Sequence, residues 1–365
     1  MQIIGCDIGT MFCVCAKQIQ GGKAKISSMR NMFVPVTDDF SNLSDLTDTG
    51  IDYVEYDDGM NDSKSLYIIG EDAYRFANMF NYKVKRPMAQ GVISPEEIDA
   101  LDVLTLMMER LIGGKVDDGY CVYSIPEAAI DLEIPPVLYH ERVFNSIFST
   151  LGYKSKPLNE AMAIIYSQCK KEKYSGIACS FGAGLTNIAC SYKGIPTLTF
   201  AVSRAGDWID ANAALSLNII PNRVTAIKEK PDFDLMNPMC ADKRERRIRG
   251  AVSFYYKSLI EYVLKVIIAK FNQNAEGLSI DEKIPIIVSG GTSKPKGFLD
   301  MFKSIFDNTK NFPYAISEIR QAEDPLTAVA EGCLLYATSQ QSKKEKKDGQ
   351  KPEEKKEGSK NEGPK

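Results

Sequence analysis

Short apolar runs alternate with amphipathic stretches along most of the chain, and the runs return in the same order. Residues 2–7 and 12–17 read as two strands around one tight turn. The arrangement recurs at 176–179 and 186–192, and a further strand, 197–202, follows. Other strand-like runs lie at 66–70, 121–125 and 284–288, the second of them stopped by Pro126. Apolar residues at helical spacing predict helices over 71–80, 140–151, 160–170, 207–217, 222–230, 254–270 and 328–336. Ser94-Pro95 reads as an N-cap with Pro at the first helical position, opening a helix to about residue 111. Gly152 reads as a C-cap. Residues 36–64 are Asp-rich and read as an irregular insertion, and 231–242 as a loop. Strands and helices alternate twice over, which is the pattern of an α/β protein with helix-covered sheets.

Three strands end in glycine turns. They are Asp7-Ile8-Gly9-Thr10, then Phe181-Gly182-Ala183-Gly184-Leu185-Thr186, then Ser289-Gly290-Gly291-Thr292-Ser293. Backbone N–H groups hold phosphates, and glycine lets the main chain approach without a Cβ in the way. Thr10 and Thr186 add hydroxyls. One such turn is an ordinary turn as often as a site. Three in this order predict two similar half-domains closing on a shared phosphate.

Composition narrows the chemistry. The chain has 365 residues, 44% of them hydrophobic, enough for two domains or one bilobal unit. Its net charge of −3 does not favour a nucleic-acid surface. A single histidine, His140, argues against an imidazole metal site and against histidine-assisted nucleophilic catalysis. Nine scattered cysteines without a CxxC pair read as small buried hydrophobes in a reducing compartment. No signal peptide and no membrane span are expected. From Gln341 the sequence is Lys, Glu, Gly, Pro and Ser, and it reads as a solvated tail.

With these motifs the chain resembles the actin-like ATPase superfamily over residues 1–338, within its bacterial actin branch, similar to the shape-determining and magnetosome filament proteins. Asp7-Ile8-Gly9-Thr10 is similar to that family's first phosphate loop, Gly182-Ala183-Gly184-Leu185-Thr186 to its second, and Gly290-Gly291-Thr292-Ser293 to its adenosine motif. The helices from Glu160 and after Asp324-Pro325 resemble its two connecting helices. Ile227-Lys228-Glu229-Lys230 resembles the segment lining ribose and base. Arg86-Pro87-Met88-Ala89-Gln90-Gly91-Val92-Ile93 and Ala205-Gly206-Asp207-Trp208-Ile209-Asp210 resemble further segments of the filament-forming branch. The chain departs from the pattern at Ser180, where the family has Asp, and at Asn187, where an acidic residue is common.

The resemblance implies an actin-like bilobal fold, with two ribonuclease-H-like domains around a central nucleotide cleft and smaller inserted subdomains. The lobes would be 1–153, with an insertion at about 33–70, and 154–338, with an insertion at about 207–268, ahead of a disordered tail at 339–365. It implies ATP and Mg2+ as ligands, with Asp7 facing the metal and Glu160 orienting the attacking water. Gly9, Thr10, Gly182, Ala183, Gly184 and Thr186 would cradle phosphates. Gly206 and Asp207 would line the cleft, Asp210 beside them. Lys228 and Glu229 would touch the ribose or base, and Gly290, Gly291, Thr292 and Ser293 the nucleoside. Three plainer readings stay open. Glu160 also suits the first turn of a helix by its dipole. Asp207 also suits an N-cap. Lys228 and Glu229 also suit a solvated helix face.

The function implied is a cytoplasmic, ATP-binding cytoskeletal protein that polymerises with itself, binds ATP and ADP, and works with an unidentified adaptor. Ser180 supplies a hydroxyl and no charge, so slow hydrolysis is expected. A non-polymerising nucleotide-binding scaffold and an Hsp70-like ATPase module are the alternatives. No direct contact with nucleic acid is expected.

Overall fold

The structure, a computed structural model, describes residues 1–19, 24–36, 50–57, 65–80, 84–97, 100–133, 137–273, 280 and 282–348. Two five-stranded sheets built on one plan carry the molecule. The first contains β1 (Gln2–Ile8), β2 (Phe12–Gln18), β3 (Ala24–Arg30), β9 (Gly119–Ile125) and β10 (Tyr153–Asn159), in the order β10-β9-β1-β2-β3. The second contains β11 (Gly176–Phe181), β12 (Thr186–Tyr192), β13 (Ile195–Val202), β14 (Ile284–Ser289) and β15 (Ile316–Gln321), in the order β13-β12-β11-β14-β15. β1 pairs antiparallel with β2 and parallel with β9. β11 repeats this, antiparallel with β12 and parallel with β14. Each sheet is thus a three-strand meander extended by two parallel strands. Parallel neighbours need crossover connections, and helices supply them.

Those helices are α1 (Gly70–Phe80), α2 (Ala100–Ile112) and α3 (Val137–Thr150) on the first half, and α5 (Gly206–Leu217), α6 (Pro221–Lys228), α7 (Lys243–Gln273) and α8 (Phe298–Asp307) on the second. Two more, α4 (Glu160–Gln168) and α9 (Ala328–Asp348), lie between the sheets. Their small residues make this possible. Ala161 and Ala163 of α4 and Ala328, Cys333 and Ala337 of α9 form one buried cluster with Val122 of the first sheet and Ala178 and Ile287 of the second. Strands β4 (Phe33–Pro35), β5 (Tyr53–Tyr56) and β6 (Ser65–Ile69) form a small sheet, and β7 (Met88–Ala89) with β8 (Val92–Ile93) a short hairpin. The result is the two-lobed α/β architecture expected from the sequence.

The differences have physical causes. Strands β3, β10 and β15 were not foreseen, and each is the edge of its sheet. An edge strand faces water and carries charge, as Ile316-Ser317-Glu318-Ile319-Arg320-Gln321 does, so its apolar pattern is faint. α2 is described from Ala100, and Ser94 accepts from the Glu96 N–H at 3.4 Å within a turn ahead of it. α7 begins 11 residues before the expected start at 254, capped by Asp242, whose carboxylate accepts from the Arg244 and Glu245 N–H groups at 2.7 and 2.8 Å. α9 runs on through Asp348, past the expected end of the folded chain. A helix already nucleated by packing extends at one hydrogen bond per residue. The expected insertion falls partly outside the described residues, at 37–49 and 58–64, as does the tail from 349. All nine cysteines are free thiols, and eight are buried. Among the described residues no helix is long and apolar enough to cross a membrane.

Candidate functional site

The hairpins β1–β2 and β11–β12 turn alike. The Gly9 N–H donates to the Phe12 carbonyl at 3.0 Å, and the Gly182 N–H donates to the Leu185 carbonyl at 3.0 Å. A Cβ on either glycine would lie within 2.8 Å of that carbonyl, so both turns depend on its absence. The two loops face each other across a cleft of about 550 Å³. They also touch: a Cβ on Gly184 would meet the Thr10 Oγ1 at 2.5 Å. The Thr10 hydroxyl accepts from the Gly91 N–H at 3.0 Å, which pins the first loop to the β7–β8 hairpin.

Asp7, at the end of β1, and Glu160, first residue of α4, both line the cleft. Ser124 at the end of β9 donates to Asp7 at 2.8 Å and accepts from the Ile8 N–H at 3.0 Å. Glu160 is held twice. Ser180 donates to its Oε1 at 2.6 Å, and Asn187 to its Oε2 at 2.9 Å. The Asn187 amide oxygen accepts from the Glu127 N–H at 3.0 Å, and Glu127 accepts from Asn159, the N-cap of α4, at 3.1 Å. The ring of bonds closes on the helix that carries Glu160. The two positions where the sequence departs from the family pattern are therefore the two donors that orient its carboxylate. Each carboxylate oxygen has a second lone pair, which the cleft leaves free. Burial raises the pKa of Asp7, against the Ser124 bond. Burial and then the Asp7 charge raise that of Glu160, against the Ser180 bond. Both carboxylates meet the void on one side and protein on the others. No described Lys or Arg pairs with either.

Of the other expected residues, Gly9, Thr10, Gly182, Ala183, Gly184, Asp207, Lys228, Glu229, Gly290, Gly291 and Thr292 line the same cleft. Thr186, Gly206 and Ser293 do not. The Thr186 hydroxyl donates to the Arg204 carbonyl at 2.8 Å and the Ser293 hydroxyl to the Gly290 carbonyl at 2.8 Å. The Gly206 N–H donates to the Gly182 carbonyl at 3.0 Å, as Thr292 Oγ1 does at 2.7 Å, so both steady the second loop from behind. Asp207 is no N-cap, since Ala205 holds that place without a side-chain bond. Asp207 instead pairs with Arg86 at 2.9 Å. Lys228 and Glu229 are not a solvated face. Lys228 reaches both oxygens of buried Asp210 at 2.7 Å, and Glu229 pairs with Arg30 at 2.5 Å. Asp210 is thereby spent on Lys228 and on Thr225, which donates to it at 2.7 Å.

Several lining or supporting residues escaped the sequence reading: Ser124, Glu127, Arg30, Thr225, Phe233 and Tyr256. Ser124 was within reach, standing one residue before the end of a strand read correctly. Arg30 was not, because its strand was not read. It is 7% exposed, stacked on Phe12 and Tyr74 with its guanidinium 4.8 and 4.4 Å from their ring centroids. It also pairs with Glu71 at 2.6 Å.

Solved structures share this fold. MamK in its double helical filament is 17% identical, with 92% of this chain and 98% of that chain covered and a TM-score of 0.63. MreB5 of Spiroplasma citri bound to ADP is 15% identical, with 94% and 98% covered and a TM-score of 0.61. The ethanolamine utilization protein EutJ from Carboxydothermus hydrogenoformans is 18% identical, with 92% and 90% covered and a TM-score of 0.54. No curated protein sequence matches. The Volactin family profile matches residues 1–337. With a profile match over nearly its whole length and the bilobal architecture of the bacterial actins, the chain belongs to the Volactin family and has an actin-like fold.

Proposed function

We propose that the cleft binds ATP with Mg2+, hydrolyses it slowly, and that the nucleotide governs assembly of the chain into filaments. The observation that carries this reading is the pair of matching glycine hairpins, Gly9–Phe12 and Gly182–Leu185, opposed across one cleft with Asp7 and Glu160 beside them. The structural neighbours MamK, solved as a double helical filament, and MreB5, solved bound to ADP, support it. Within the reading, Gly9, Thr10, Gly182, Ala183 and Gly184 hold phosphates from both sides. Thr186, Gly206 and Ser293 act by bracing the loops. Lys228, Glu229, Gly290, Gly291 and Thr292 surround the nucleoside.

The donor set suits magnesium. Two carboxylates that meet no described cation would be relieved by a divalent ion, and magnesium needs few protein oxygens because it keeps waters and phosphate oxygens. Asp7 would hold it, and it would neutralise charge on the phosphates. Glu160 orients the attacking water through its free lone pairs, with Ser180 and Asn187 fixing the plane of its carboxylate. A neutral residue at Ser180 leaves one negative charge fewer than the family pattern. The lobes are taken as 1–153 and 154–338, and the site of action as the cytoplasm.

Steady-state hydrolysis tests this. Wild type should turn over ATP slowly and only with magnesium, and Asp7→Asn should abolish turnover. Ser180→Asp should raise the rate; an unchanged or lower rate would remove Ser180 as the cause of slow hydrolysis.

A further inference from the structure

One buried group in the cleft wall has no partner. Tyr256 of α7 lines the cleft beside Thr225, Lys228 and Phe233, and its side chain is fully buried. Its ring sits edge-on to Phe298 with centroids 6.0 Å apart. Its hydroxyl makes no hydrogen bond with any described residue. The other buried hydroxyls of the wall are all engaged: Thr10 with Gly91, Ser180 with Glu160, Thr225 with Asp210 and Thr292 with Gly182. Asp210 accepts from Lys228 and Thr225 and makes no bond with the Tyr256 hydroxyl. An unsatisfied buried hydroxyl destabilises the fold, and phenylalanine would fit the same aromatic packing without that cost.

We propose that the Tyr256 hydroxyl is a hydrogen-bond partner of the nucleoside part of the bound nucleotide and sets preference for it. This rests on the nucleotide reading of the cleft. The nucleoside, rather than a phosphate, fits by place. Tyr256 shares a core cluster with Val224 of α6 and Phe233, and the end of α6, Lys228 with Glu229 after it, is the segment read as lining the ribose and base. Burial, and then the charges of Asp210 and Glu229, keep the phenol protonated and able to donate.

The test is Tyr256→Phe in the full chain, with melting temperature and calorimetric affinity for Mg-ATP, Mg-ADP and inorganic tripolyphosphate. Removing the orphan hydroxyl should raise the melting temperature of the nucleotide-free protein by about 2 °C. Affinity for ATP and ADP should fall about 3- to 10-fold, with tripolyphosphate unaffected. A loss that disappears with 2′-deoxy-ATP assigns the contact to the 2′-hydroxyl, one that disappears only with 3′-deoxy-ATP assigns it to the 3′-hydroxyl, and one that persists with both assigns it to the base or the ribose ring oxygen. Unchanged ATP affinity in a wild type that binds ATP overturns the inference and leaves the nucleotide reading standing. So does an equal loss for ATP and tripolyphosphate, or a lower melting temperature without nucleotide. Wild type that binds no nucleotide overturns both.

Discussion

Glu160 illustrates how single residues in this protein are set by their neighbours. The sequence marked Ser180 and Asn187 as departures, and it marked Glu160 as a candidate, but the three come from α4, β11 and β12. Their bonds are contacts across the fold, which one-dimensional spacing does not carry. The glycines of the two hairpin turns were legible because a turn is local. His140 is a second residue whose setting only the fold supplies. It is buried in α3 against Phe144, with a ring-centroid distance of 4.7 Å, and neither ring nitrogen has a described partner. Burial lowers its pKa to about 4 from the ordinary 6.5. The unfolded chain therefore takes up this proton first as pH falls. The contribution is present above pH 6.5, is lost progressively below it, and levels off below pH 4. Urea midpoints of wild type should show a loss of about 2 kcal/mol between pH 7 and 5 from this group. His140→Leu should lack that increment; an identical acid response in the variant would contradict the assignment.

At the scale of elements, the central strands of the two large sheets were plain in the sequence, and of their four edge strands only β13 was. The central β1, β9, β11 and β14 are rich in buried apolar residues, whereas β3, β10 and β15 carry Lys, Ser, Glu and Arg. The charged start of α7 was missed for a related reason: its stability comes from the Asp242 cap and the Arg249–Glu245 pair at 2.6 Å, neither of which is apolar periodicity. Two helical glycines separate packing from propensity. A Cβ on Gly332 of α9 would lie 1.8 Å from the Ala163 carbonyl oxygen of α4, which is backbone and cannot swing away. A Cβ on Gly250 of α7 would meet nothing within 4 Å. Gly332→Ala should cost about 3 kcal/mol by forcing the connecting helices apart. Gly250→Ala should gain about 1 kcal/mol from helix propensity. Denaturant unfolding reads both, and effects of the same sign would contradict the close crossing of α4 and α9.

On the scale of the whole molecule, the lobes are tied at several points around the cleft. Arg30 of the first sheet pairs with Glu229, and Arg86 with Asp207 of α5. Asp131 accepts from the Ser203 N–H at 2.8 Å and from the Tyr262 hydroxyl at 2.6 Å. Glu229 and Asp207 line the cleft, so a ligand there bears on the same groups that join the lobes. In the proposed function, that link couples the nucleotide to the shape presented to the next subunit. Light scattering with negative-stain imaging of the purified chain in Mg-ATP, in Mg-ADP and without nucleotide tests this most directly. The account predicts filaments in Mg-ATP and their loss without nucleotide. No polymer in any condition while ATP binds, or equal polymer in all three, would contradict it.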